Sequence, residues 1–548
     1  MRRPALLDLL ILPALASLAL VGCLVETSDG TGASAGESYG SDSTGGASGW
    51  DSASASASAS GSASDGATSM GSSGGTSGTG DTGGDEGTTG GEDPTTGDAS
   101  TTGEDTTTGG EEVCDAETPV ALFLSPDDSN SMSSPVQARE AVLGGWQSSL
   151  GGIPVRMWEF FNYYTFVYPA AAPGEVVITP ELYRLDGQSD DEYLLQIGVS
   201  SELISNDNRA PMNITLVLDE SGSMSGPAMD MLKESCRAIA ASLKAGDIVS
   251  MVGWDTQNAI KLSGYKVSGP NDELLLGKIE ELAAGGGTDL NGGLTAGYEL
   301  AKTSYDPERI NRVVLISDGG ANAGITDVDI IAGGAGANDT DGIYLVGVGV
   351  GLPKNYNDAL MDQVTDVGKG ASVFIPNKEE AWKIFNADFV NTMAVAARDV
   401  QVRLDMPPGF EIVKFSGEEY SANPDEIEPQ HLAPNDAMVF HQTIRTCAPE
   451  LVEDATEIKV TARYKDAITF EPREVTTTVT FGQLLGTQSP MVRKGAALYA
   501  YVEALQGVQA GDATAAIADA KARIADAELL LPGDPDLAEI SEVLDTLE

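Results

Sequence analysis

Between residues 212 and 394 the chain alternates two hydrophobic rhythms. Ile214 to Leu218, Ile248 to Trp254, Val313 to Ile316 and Ile343 to Val350 are continuous apolar runs rich in β-branched residues. Such runs suit parallel strands covered on both faces. Between them the apolar positions fall at helical spacing, as in Ala228, Leu232, Ile239 and Leu243. That stripe starts at Pro227, a favoured first helical position, and ends before Gly246. Asn377 is placed to cap a last helix carrying Ala381, Ile384, Phe385 and Phe389. Strands alternating with helices predict an α/β unit with a doubly wound, mostly parallel sheet.

On both sides of this unit the period changes to two. Val176 to Tyr183, Glu192 to Ser200, Val400 to Leu404, Ile458 to Ala462 and Val475 to Phe481 read as antiparallel strands. Two helices are expected earlier, over Val136 to Leu150 and Val155 to Tyr164. The economical arrangement is one β-sandwich with the α/β unit inserted in it. The tail is Ala- and Leu-rich, with helices over Ala497 to Leu505 and Ala513 to Leu531, broken at Pro532-Gly533. Packing of this tail on its own domain is the expected arrangement. The resulting division is 1–23, 24–118, 119–211, 212–394, 395–489 and 490–548.

Composition changes the picture at the amino terminus. Arg2 and Arg3 precede an apolar stretch from Leu6 to Val21 that ends in Leu20-Val21-Gly22-Cys23. A basic start with a short apolar core describes an export signal. Residues 24–118 are dominated by Ser, Gly, Thr, Asp and Glu, with repeats such as Ser-Ala-Ser-Ala and Thr-Thr-Gly. They hold too little apolar surface to offset ordering entropy and read as a disordered tether. As a flexible coil it spans about 50–60 Å root-mean-square. The whole chain of 548 residues carries a net charge of −52, and no Lys or Arg lies between Arg3 and Arg139. That field repels nucleic acid and anionic lipid. Cys236 sits on a helical apolar stripe and reads as a buried thiol. Cys114 and Cys447 are candidates for one disulfide, with free thiols the alternative.

The candidate chemistry lies at three polar tips. Asp219-Glu220-Ser221-Gly222-Ser223 and Ser317-Asp318-Gly319 each follow an apolar run, and Gly287-Thr288-Asp289 lies in a glycine-rich loop. In open α/β sheets ligands bind beyond the carboxyl ends of the strands. Two carboxylates and three hydroxyls there form a hard, charge-poor oxygen set suited to Mg²⁺, with Mn²⁺ or Ca²⁺ as alternatives. A divalent ion in that set attracts a further carboxylate. Capping of the following helix would explain the first segment alone. Hydrolysis has little support: neither His431 nor His441 is near the motif, and Gly-x-Ser-x-Gly is absent around Ser221.

The pattern D-x-S-x-S, then a distant Thr and a distant Asp, resembles the metal-ion-dependent adhesion site of von Willebrand factor type A domains. Asp219, Ser221, Ser223, Thr288 and Asp318 fill its positions. The resemblance implies that Ser221, Ser223 and Thr288 approach the metal directly, while Asp219 and Asp318 often act through water. It also implies a protein partner offering Asp or Glu to the metal. Arg156 to Tyr164 and Asn355 to Met361 are similar to segments of a family of bacterial envelope lipoproteins, so the likeness spans roughly 130 to 480. The small residues before Cys23 resemble a lipobox, which implies lipid attachment at Cys23. Leu24 after it, rather than Asp, points to the outer membrane of a cell that has one. The expectation is a non-enzymatic, lipid-anchored binding protein. A scaffold in which the metal is structural is the alternative, and a junction between sandwich and inserted unit coupled to the metal site is a further expectation.

Overall fold

The structure is a computed structural model and describes residues 115–127, 130–184, 191–320 and 342–547. Its centre is a sheet in the order Asn258–Lys266, Ile248–Trp254, Met212–Asp219, Ile310–Ser317, Tyr344–Val350, Ser372–Ile375. Every pairing is parallel except that of the edge strand Asn258–Lys266 with Ile248–Trp254. The two-residue period of the strands divides their side chains between two cores. Val217, Val313 and Leu315 pack with Leu290, Leu294 and Leu360 on one face. Leu216, Leu218, Val314 and Ile316 pack with Leu232, Ile239, Leu275 and Phe385 on the other. This is the expected doubly covered sheet, and its strands run one to three residues beyond several of the apolar runs.

The helix Leu290–Thr303 lies unusually close to the sheet. A Cβ on Gly297 would fall 2.3 Å from Val217 Cγ2, and one on Gly293 would fall 2.4 Å from Trp254 Cγ. These glycines, one helical turn apart, let the helix seat on the strands. They thereby set the loop at its amino end, which carries Thr288.

Two antiparallel sheets flank this unit. One has the order Glu419–Ser421, Val120–Ser125, Ala397–Met406, Glu457–Asp466, Pro472–Thr480, with Gln430–Leu432 also on Ala397–Met406. The other is Phe410–Phe415, Ala437–Thr446, Glu192–Ser200, Val177–Tyr183. Leu124, Val402, Leu404 and Val460 of the first share one core with Leu195, Ile197, Ile412 and Phe440 of the second. Each sheet takes strands from before and after the α/β unit, so the sandwich closes around an insertion.

Three expected helices change shape. The first ends at Leu143, where Gly144-Gly145 follows with Gly145 at φ 78°, and a 3₁₀ turn covers Gln147–Gly152. Asn377 does cap the closing helix, accepting from the Glu380 N–H at 2.9 Å. That helix breaks into Lys378–Trp382, a π turn at Lys383–Ala387 and Phe389–Met393. The tail forms Pro490–Ala510, Thr514–Glu528 and an additional helix Pro535–Leu547 beyond Pro532-Gly533.

The tail packs on the amino-terminal helices. Arg139 gathers Glu380 at 2.7 Å, Glu539 at 3.2 Å and the Tyr163 hydroxyl at 2.7 Å. Arg156 gathers Glu159 at 2.7 Å, Asp358 at 2.8 Å and Asp362 at 2.9 Å. These two guanidiniums tie the first helices to the inserted unit, and Arg139 also reaches the tail. Cys236 is a free, buried thiol. Cys447 is disulfide-bonded; its expected partner Cys114, the lipobox Cys23 and Leu24 lie outside the described residues. Among the described residues no helix is long and apolar enough to cross a membrane.

Candidate metal centre

Parallel register brings the first and third segments together. Leu218 pairs with Ile316, which sets Asp219 beside Ser317 at the carboxyl ends of adjacent strands. Ser317 donates its hydroxyl to Asp219 Oδ2 at 2.7 Å, and the Ser221 N–H donates to Asp219 Oδ1 at 2.8 Å. Both carboxylate oxygens of this fully buried residue are thus engaged and oriented. Burial pushes the Asp219 carboxyl up to about 6; the hydrogen bonds from Ser221 and Ser317 work against that shift, and Asp318 adds to it.

The second segment reaches the site through backbone contacts. Glu220 N–H donates to the Trp254 carbonyl at 2.8 Å, Gly285 N–H to the Glu220 carbonyl at 2.7 Å, and Gly222 N–H to the Gly286 carbonyl at 3.3 Å. Gly286 has φ 79°, and a Cβ there would fall 2.6 Å from Asp255 Oδ2. Both facts demand glycine. Thr256 Oγ1 accepts from the Gly287 N–H at 2.7 Å, and Asp289 caps the following helix by accepting from Gly292 N–H at 3.0 Å. Thr288 is buried between these anchors.

The side chains converge on one small space. Ser221 Oγ and Ser223 Oγ are 3.0 Å apart. A Cβ placed on Gly320 would lie 3.2 Å from Asp318 Oδ1, 3.6 Å from Thr288 Cγ2 and 3.8 Å from Ser223 Oγ. Groups of all three segments therefore border one cradle beside Gly320, which a Cβ there would narrow. Ser223 is exposed and Asp318 half-buried, so the space faces solvent. Neutral hydroxyls crowded with one half-buried carboxylate fit a small hard cation. Among the described residues no group of three or more His, Cys, Asp and Glu side chains is placed to hold a metal, so a donor set here depends on hydroxyls.

Several contributors carry no sequence signal of their own. Ser317 orients Asp219. Asn357 backs the third loop: its N–H donates to the Asp318 carbonyl at 3.3 Å, and a Cβ on Gly319, at φ 80°, would meet it at 2.8 Å. Asn357 also precedes Asp358, which Ser133 and Gln137 contact at 2.6 Å and Arg156 at 2.8 Å. The adjacency of Ser317 to Asp318 at a strand end was the available hint; Asn357 becomes visible only in three dimensions. Glu220 points aside, pairing with Lys261 at 2.7 Å and accepting from Ala283 N–H at 3.2 Å. Ser225 donates to the Gly222 carbonyl and caps nothing; the helix Pro227–Ser242 starts after Gly226 with no side-chain cap.

The chain is similar to several known proteins over part of its length. A family model described as von Willebrand factor type A domain matches residues 214–321. The uncharacterized protein YfbK of Escherichia coli (strain K12) is 26% identical over 265 residues, 47% of this chain and 45% of its own. The chain thus spans less than half of that relative. The solved structure of a von Willebrand factor type A protein from Catenulispora acidiphila aligns over 64% of this chain and 86% of its own, with 17% identity and a TM-score of 0.41. A structure of proximal thread matrix protein 1 from the mussel byssus, with a zinc-occupied MIDAS motif, aligns over 32% and 46%, with 16% identity and a TM-score of 0.27. The parallel sheet, the ordered triplet of loops and the matched segment identify residues 214–321 of this chain as a von Willebrand factor type A domain.

Proposed function

We propose that the chain is a tethered binding protein that captures an acidic group of a protein partner through a divalent metal. The observation that carries the reading is the cradle over Gly320, bordered by Ser223, Thr288 and Asp318. Ser221, Ser223 and Thr288 would hold the ion, with Asp219 and Asp318 acting beside it. A bound Mg²⁺ supplies a positive centre with room for an outside carboxylate oxygen. The chain's own groups do the rest. Asp219 has both oxygens occupied by Ser221 and Ser317, so it contributes charge and orientation. Hydroxyl donors add no charge, which leaves the site close to neutral and receptive to an anion. Mn²⁺ or Ca²⁺ would suit the same oxygens less selectively.

A binding role also fits what the site lacks. His431 and His441 are both buried outside it, so neither serves as a general base near Ser221. In this reading Cys23 carries the lipid, residues 24–118 form the tether, and the protein sits in a bacterial envelope, at the outer membrane where one exists. The test is capture of candidate envelope proteins by the full chain, with Mg²⁺ and then with EDTA, beside Asp219→Ala. Capture that disappears with EDTA and in the variant supports metal-bridged binding. Capture indifferent to both would establish the scaffold reading instead.

A further inference from the structure

The opposite end of the central sheet holds a second arrangement that the metal site does not use. A cavity of about 50 Å³ lies where the inserted unit returns to the sandwich. Arg312, near the start of strand Ile310–Ser317, lines it together with Thr392, Ala394 and Val395 of the return segment and His431 of strand Gln430–Leu432.

Arg312 is buried, yet no carboxylate among the described residues pairs with it. Among the described residues its one hydrogen bond runs from Nη1 to the Asn311 carbonyl at 3.3 Å. Its guanidinium lies 5.1 Å from the centre of the Tyr344 ring. A buried cation without a counter-charge costs several kcal/mol unless something compensates it. His431 packs edge-on against the same Tyr344 ring at 4.8 Å. Its Nδ1 accepts the Asp399 backbone N–H at 3.1 Å. The ring proton therefore sits on Nε2. That atom is buried and has no hydrogen-bond partner among the described residues. Burial holds His431 down at about 3, opposed by Asp399 and reinforced by Arg398, Arg312 and Lys369. The ring is neutral at physiological pH, and its Nε2–H is a fixed donor.

A buried cation with no carboxylate partner among the described residues and one orphaned donor thus belong to residues that line one cavity. The acidic groups nearby are turned to other tasks. The Asp399 carboxylate pairs with Lys465 at 2.5 Å and lies 3.8 Å from Nδ1, not Nε2. Asp436 lines the cavity but accepts from its own neighbour Ala437 N–H at 2.8 Å, and the groups acting on Arg312 are Tyr344 and Arg398. A water molecule needs about 10–15 Å³, so the space admits a few waters or one small ion and excludes anything larger. Water would satisfy the Nε2–H; only an anion also offsets the guanidinium charge.

We propose that this cavity is a small-anion site, in which the Arg312 guanidinium and the His431 Nε2–H hold a halide or a tetrahedral inorganic oxyanion at the junction of the inserted domain with the sandwich.

The test is thermal melting of the full chain in EDTA, which removes any contribution of the metal centre. Chloride and phosphate are titrated separately against gluconate at matched ionic strength, in wild type, Arg312→Met, His431→Phe and His431→Gln. The expected result is a saturable rise of about 2–4 °C in wild type with chloride or phosphate but not gluconate. It vanishes in Arg312→Met, falls in His431→Phe and partly returns in His431→Gln, whose amide restores a donor. Equal responses to all three anions, or equal responses in wild type and Arg312→Met, overturn the proposal. Should Arg312→Met fail to fold, bromide-soaked crystals of wild type decide. Anomalous density between Arg312 and His431 supports the site, and density for water alone overturns it.

Discussion

The two ends of the parallel sheet solve opposite problems with the same backbone. At the carboxyl end the polar groups are short hydroxyls and carboxylates on glycine-rich loops, and the cradle over Gly320 faces solvent. At the amino end they are long cations sunk into the protein. Arg209 and Asp247 there are both fully buried and doubly bonded, at 2.5 and 3.1 Å. Asp247 also accepts from Met212 N–H at 2.8 Å and Lys244 N–H at 2.9 Å. A closed network of this kind holds the unit together, whereas an open set of oriented oxygens is free to take a ligand. The difference teaches that charge alone does not mark a site; unspent bonding capacity facing an accessible space does.

Breaking the closed network should have the largest effect. Arg209→Ala leaves Asp247 buried and unpaired, and is expected to cost about 3–5 kcal/mol in chemical denaturation. At the open end, Asp219→Ala should fold normally yet lose metal response. In wild type a metal at one hundred times its dissociation constant adds about 2.7 kcal/mol of stability, read as a shift in melting point; the variant should show none.

Asp436 sharpens the contrast through pH. Burial pushes its carboxyl up to about 6, against the Ala437 N–H and Asn391. A raised folded value means that its contribution is present below about pH 4 and is lost as pH rises through about 6. Asp436→Asn should therefore flatten the decline between those values, leaving the variant about 3 kcal/mol ahead above pH 7 relative to its standing at pH 4. Gly320→Ala narrows the cradle without a positive-φ penalty, so metal affinity should fall about tenfold, or about 1.4 kcal/mol, by calorimetry while the metal-free melting point stays put. Lys261→Ala should do least. Its pair with Glu220 is partly exposed, so less than about 1 kcal/mol of stability is expected, with metal affinity unchanged.

The fold was legible wherever one physical signal dominated. Four apolar runs became four parallel strands, and Asn377 capped the helix it precedes, because burial and capping act over a few residues. The breaks in the closing helix were not legible: Ala381, Ile384, Phe385 and Phe389 are all buried, and the π turn at Lys383–Ala387 lies among them. The edge strand Asn258–Lys266 was silent for a different reason. It is mostly exposed, and its pattern carries no core. At the site, Asp219, Ser221, Ser223, Thr288 and Asp318 could be named because their residue types repeat a known spacing. The roles of Ser317, Thr256 and Asn357 could not, since each works by touching a segment distant in sequence.

By itself the sequence determined which stretches bury both faces, where glycine must stand, and which oxygens end the strands. Those properties follow from side-chain chemistry and local backbone freedom, which short segments carry with them. Tertiary structure decided what each polar group spends its bonds on. Register set Ser317 beside Asp219, the closeness of Gly297 to Val217 helped position the helix that follows Thr288, and the return into the sandwich left Arg312 and His431 around one cavity. Pairing and orphaning are relations between distant residues, so only the closed chain can settle them.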